Sequence, residues 1–140
     1  MKSIEMGRAM LQQSYQRLKT AKRALEERVY AYTVRAAQEC VELSLKAALR
    51  VMGIEYPKKH DVSRVLRKTK NRFPKWFDVG GYASISRELS EKRGLAVYGD
   101  ELRMIPATIL FDEEEAKKAY GEAARVYEAC EKLIKAIEAP

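Results

Sequence analysis

The sequence predicts an all-α protein, an antiparallel up-and-down bundle of about five helices, on three observations. Apolar residues recur at three- and four-residue steps almost throughout, which is the helical period. Only 7 Gly and 4 Pro interrupt 140 residues. Sheet-forming residues are thin, whereas Ala, Leu, Lys, Arg and Glu are abundant. With 46% hydrophobic and 34% charged residues, the chain is too apolar for disorder and too charged for a membrane protein. Its length suits a single domain over 1–140 with one core, which needs neither disulfide nor metal to fold.

The first stripe falls at Leu11, Ser14, Leu18, Ala21 and Leu25, and the second runs from Tyr30 through Val34, Ala37, Val41 and Ala48 to Met52. No Pro separates them. One helix over fifty residues would nevertheless extend roughly 75 Å, about twice the width of a compact domain of this size. The chain is therefore expected to fold back around Glu26-Glu27-Arg28, where the stripe loses register. Gly53 suits the residue just past a helix end, and Pro57 keeps the next segment extended. Asp61 or His60 can cap a short third helix carrying Val62, Val65 and Leu66. Phe73-Pro74 ends it. A fourth helix is expected from about Lys75 to Tyr98, with a bend or close contact at Gly80-Gly81. Gly99 and Pro106 bracket a loop. The fifth helix opens on Asp112, with Glu115 at capping-box spacing, and carries Ala116, Ala119, Ala123, Val126, Tyr127, Cys130, Leu133, Ile134 and Ile137.

Two cysteines, Cys40 and Cys130, sit in apolar stripes and read as small core residues. With one histidine, they form no ligand cluster for zinc. Neither a membrane span nor a signal peptide is apparent, so a cytoplasmic chain is expected. One Asn and four Gln among many Lys, Arg and Glu lean towards a thermophile's composition.

Charge is unevenly placed. The net charge is +7, and the segment from Lys58 to Lys75 alone holds eight basic residues against Asp61. From Asp112 to Glu138 there are eight acids against five bases. A basic segment of this kind suits a polyanion or an acidic protein surface, or is a solvated helix face. Arg67, Lys68 and Lys70 are its central candidates. Lys59 and His60, at the entry to the third helix, could touch a phosphate, or His60 could bond backbone. At the end of the fourth helix, Arg87, Arg93, Tyr98 and Asp100 are candidates, Arg93 and Tyr98 as a planar fork and a stacking ring for a phosphate and a base. Glu42 and Lys46 read as a solvent-facing ion pair. Neither a phosphate loop nor a Ser-His-Asp arrangement is present, and no catalytic, metal or cofactor residue is assigned.

The run Arg35-Ala-Ala-Gln38-Glu39-Cys-Val-Glu42-Leu-Ser-Leu-Lys46-Ala47-Ala48-Leu49, then Lys59-His60-Asp61-Val62 with Val65-Leu66, then Arg93-Gly-Leu-Ala-Val-Tyr98, resembles HEPN-domain proteins in order and spacing. The resemblance spans roughly residues 5 to 138. It implies a helical bundle that pairs into a homodimer, in a family tied to nucleotide and RNA handling. Many small prokaryotic members are similar to partners of a minimal nucleotidyltransferase in toxin–antitoxin-like modules. Catalytic members carry an Arg followed after four to six residues by His, and two such motifs meet across the dimer to cleave RNA without a metal. Here the arginine falls on Arg93, while positions 98, 99 and 100 are Tyr98, Gly99 and Asp100. The proton carrier of that chemistry is missing from its place. The expectation is thus a binding protein, the alternatives being a divergent endoribonuclease using Arg93 and Tyr98, or a structural adaptor for an acidic partner.

Overall fold

A computed structural model describes residues 2–139. Six α-helices follow one another: α1 (Lys2–Glu26), α2 (Tyr30–Val51), α3 (Ser63–Lys68), α4 (Val79–Tyr98), α5 (Ala107–Leu110) and α6 (Glu113–Glu138). A 3₁₀ turn, Lys70–Arg72, follows α3. The architecture is a helical bundle, with no strand among the described residues.

The chain reverses where the stripe loses register. Arg28 adopts φ 63°, Val29 N–H donates to the Ala24 carbonyl at 2.8 Å and Arg28 N–H to that of Leu25 at 3.1 Å. This is a Schellman ending built on an arginine instead of glycine. Helix α2 ends the same way on Gly53 (φ 73°), with Ile54 N–H bonded to the Leu49 carbonyl at 2.9 Å.

Helix α2 is the hub, packing against α1, α4 and α6, while α1 also packs on α6. Fifteen of its 22 residues are buried, so it cannot be read as a one-sided surface helix. Arg17 meets Glu39 and Gly7 lies against Val51, so α1 runs antiparallel to α2, and Arg93 ties α4 to α2 through the same Glu39. Cys40 lies against Ala123, and Ala47 and Val51 cluster with Ile134, so α6 runs in the same sense as α2. Leu45, Leu49, Leu66, Leu89, Val34 and Val126 fill the centre. Both cysteines are fully buried and free, and burial pushes the Cys40 thiol up to about 12. They are core residues.

Helix α4 begins four residues later than expected. Phe73 and Phe77 stack at 5.0 Å and Phe77 meets Tyr82 edge-on at 4.9 Å, so the segment after Pro74 is held as an aromatic turn against the core. Asp78 then caps the helix, its Oδ1 accepting Gly81 N–H at 3.0 Å. A Cβ at position 81 would collide with the Asp78 carboxylate. Gly81 therefore serves the cap, and the pair lies in the first turn and not at a bend in mid-helix. Asp112 caps α6 in the same manner, accepting from Glu115 N–H at 2.9 Å. The short α5, a single turn after Pro106, is the one helix beyond the five expected, and periodicity could not reveal it.

Candidate functional site

Polar residues on α2 fall at Arg35, Gln38, Glu39, Glu42 and Lys46. Three- and four-residue steps place them on one stripe, and the packing of α1 and α4 turns that stripe into a seam. Gln38 is fully buried and Lys46 nearly so. Two carboxylates organise the seam, each surrounded by three donors.

Glu42 accepts from Lys46 Nζ at 2.9 Å, Gln38 Nε2 at 2.9 Å and His60 Nδ1 at 2.8 Å. Burial alone would raise its pKa, yet the hydrogen bonds from Lys46, Gln38 and His60 outweigh it and hold the carboxyl below its ordinary value. The Glu42 and Lys46 side chains are only 17% and 11% exposed. This corrects the expectation of a solvent-facing pair: α2 is covered where a peripheral helix would be wet.

Glu39 meets three guanidinium groups: Arg93 Nη1 at 3.0 Å, Arg17 Nε at 3.1 Å and Arg35 Nε at 3.6 Å. Arg93 Nη1 also donates to Gln38 Oε1 at 2.7 Å. Gln38 thus joins the two halves, and a chain of hydrogen bonds runs from Arg93 through Gln38 and Glu42 to His60. Three cations around one anion leave excess positive charge. Arg17 and Arg35 remain 41% exposed, so part of that charge faces water.

The remaining candidates scatter. Tyr98 is 72% exposed. Five residues on a helix separate two side chains by about 140°, and with Arg93 turned onto α2, Tyr98 points elsewhere. The two do not form one fork-and-ring site within a single chain. Asp100 and Ile105 exchange backbone hydrogen bonds at 2.8 and 3.0 Å, and Asp100 Oδ1 accepts from Arg103 N–H at 3.1 Å, so its carboxylate closes a turn. Arg87 makes a surface pair with Glu91 at 3.3 Å. Arg67 reaches Ser84 Oγ at 3.2 Å, while Lys59, Lys68 and Lys70 stand exposed. His60 bonds a carboxylate and not backbone; Asp61 meets the α3 entry, accepting from Ser63 N–H at 2.8 Å and from Ser86 Oγ at 3.2 Å. Arg17 and Arg35 went unnoticed as candidates. The α2 spacing could have flagged Arg35; Arg17 needs the α1–α2 register.

Close to the end of α4, large apolar side chains face outwards: Leu95, Tyr98, Leu102, Met104 and Ile109, with Leu102 97% and Met104 85% exposed. Single exposed apolar residues are ordinary, but five within fifteen positions of sequence is a dense run.

The class of protein is a helical bundle, here with a polar seam along its second helix. The HEPN domain family matches residues 8–133, and the chain belongs to that family. No curated protein matches it. Among solved structures, TT1696 from Thermus thermophilus superposes with a TM-score of 0.74 at 22% identity, over 91% of this chain and 97% of that one. That likeness concerns the fold. No helix among the described residues is long and apolar enough to cross a membrane.

Proposed function

We propose that this HEPN-family chain is a non-catalytic nucleotide- or RNA-binding protein that acts as a homodimer and as the partner of a minimal nucleotidyltransferase in a toxin–antitoxin-like module. The observation that carries the binding reading is the convergence of Arg17, Arg35 and Arg93 on Glu39. Guanidinium forks pre-oriented by a shared carboxylate keep N–H groups free for phosphate oxygens and lose little side-chain freedom on binding. In this reading Arg93 anchors the cluster, Arg17 and Arg35 take the phosphate, and Tyr98, on another face of α4, offers a ring to a base elsewhere on the strand. Lys59, Arg67, Lys68 and Lys70 steer the polyanion. The exposed apolar residues Leu95, Leu102, Met104 and Ile109 support pairing of two copies at the end of α4.

A short single-stranded RNA, titrated against the protein by fluorescence anisotropy, tests this. Charged hydrogen bonds of about 1.5–3 kcal/mol mean that Arg35→Gln weakens binding about ten- to a hundredfold. The RNA is recovered intact after incubation with chelator. Unchanged affinity in Arg35→Gln and in Arg93→Ala would remove the binding reading, and RNA cleavage abolished by Arg93→Ala would make the protein a nuclease.

A further inference from the structure

At the far end of α2, roughly 16 Å along the helix from Glu39, a depression of about 400 Å³ opens between the α2 C-terminus, the following loop and the first turn of α1. Its lining includes Ser3, Arg50, Glu55, Tyr56 and Lys58. The volume falls within the range of small-ligand pockets.

Arg50 is the anomaly there. It has no ion pair among the described residues, and its Nε is shut away from solvent without an acceptor. An unpaired buried donor on a cation is costly. An atom closed to water is closed to a ligand in the open depression as well, so only the outer guanidinium nitrogens can meet a group bound there. The side chain is nevertheless held in place. Its Nη2 donates to Tyr56 Oη at 3.1 Å, and the guanidinium lies 5.5 Å from the Tyr56 ring centroid. Tyr56 is itself tied to Met10 Sδ at 3.7 Å. Lys46 sits 5.4 Å from the same ring, but its charge is already met by Glu42. The carbonyls at the end of α2, which would repel an anion, are taken up: those of Ala48, Leu49 and Arg50 accept from Met52, Ile54 and Gly53.

We propose that this pocket binds the phosphate group of a small phosphate-bearing molecule. Arg50 supplies a fixed fork and Lys58 a second, mobile cation, so two positive charges face a group that carries close to two negative ones near neutral pH. Ser3, in the first turn of α1, adds a hydroxyl on the side where the helix dipole favours an anion. Glu55 opposes the phosphate, but its side chain is exposed and free to swing into water. The site is separate from the arginine cluster and does not depend on the RNA reading.

Calorimetric titration of the full chain with inorganic phosphate, and separately with phosphoserine, tests the proposal. Saturable one-to-one binding is expected, weakened about tenfold or more by Arg50→Met and several-fold by Lys58→Gln. The triple change Arg67→Gln, Lys68→Gln, Lys70→Gln leaves it unaltered. Tighter binding of phosphoserine points to a phosphate ester as ligand, and tighter binding of inorganic phosphate to the free anion. No saturable heat with either probe overturns the proposal. So does binding that survives both Arg50→Met and Lys58→Gln, or that disappears in the triple variant. Lys58 lies on an exposed loop, so its variant reports even if Arg50→Met fails to fold.

Discussion

The α2 seam and the Lys58–Lys75 segment are both rich in charge, and they differ in almost everything else. In the seam, Gln38, Glu39, Glu42 and Lys46 are held between packed helices, and each has a partner at a definite distance. In the basic segment, Lys58, Lys59, Arg64, Lys68, Lys70 and Lys75 are exposed, and none of them takes part in an ion pair among the described residues. The segment carries more charge and the seam more geometry. Exposed charges act at a distance and are screened by salt, so in the proposed binding reading they set how fast a polyanion arrives. In the same reading the fixed, partly desolvated groups decide where it stays.

Several changes would sharpen or break that contrast, beginning with the largest. Glu42→Ala leaves Lys46 nearly buried without its counterion, and removing one partner of a buried pair costs about 3 kcal/mol. Urea unfolding should show it as a lowered midpoint at unchanged slope; a loss below about 0.5 kcal/mol would mean that the seam is as wet as the surface. The same carboxylate gives a pH signature. Its folded pKa lies below the ordinary value, so between the two values the unfolded chain binds more protons and stability rises with pH. The contribution is complete above the unfolded pKa of about 4.3 and disappears as pH falls through the folded pKa. Subtracting the profile of Glu42→Gln from that of the parent isolates it.

Arg93→Ala should cost about 1–2 kcal/mol, because Gln38 Oε1, in a fully buried side chain, loses its donor. Arg28→Gly relieves a non-glycine residue at φ 63° and is expected to stabilise by about 0.5–1 kcal/mol, read as a rise in thermal midpoint. Smallest of all is the triple replacement of Arg67, Lys68 and Lys70 by Gln, whose effect on stability should stay within about 0.5 kcal/mol.

Much of the fold was legible because helical periodicity and capping residues are local. Asp112 with Glu115, Gly53 and the α6 stripe are all written within a few positions of where they act. The reversal at Arg28 could be placed only by length and loss of register, since an arginine in the left-handed region carries no breaker signal. The start of α4 was misplaced because Pro74 reads as a helix opener, whereas the Phe73–Phe77–Tyr82 cluster holds that stretch in a turn through tertiary contacts.

The site was harder to read. Arg93 stood out through its neighbours in sequence, but its partners lie 54 and 55 positions away. Tyr98 looked like a companion from proximity in sequence, and helical geometry sends it round the helix. His60 sits in the α3 entry loop, yet it belongs to the Glu42 half of the seam. Charge density made the Lys58–Lys75 segment conspicuous, while Arg17 and Arg35, one cation each on different helices, became a pair only through folding.

The contrast between geometry and charge is settled most directly by the salt dependence of single-stranded RNA binding in two variants measured side by side. One carries Arg17→Gln and Arg35→Gln, the other Arg67→Gln, Lys68→Gln and Lys70→Gln. Log affinity falls with log salt in proportion to the phosphates neutralised, at about −0.7 per contact for a single strand. The double variant should lose about tenfold or more in affinity even at high salt, where steering is screened. The triple variant should lose affinity mainly at low salt and approach the parent as salt rises. A double variant that binds like the parent at high salt, with the whole loss falling on the triple, would contradict the assignment of binding to the arginine cluster.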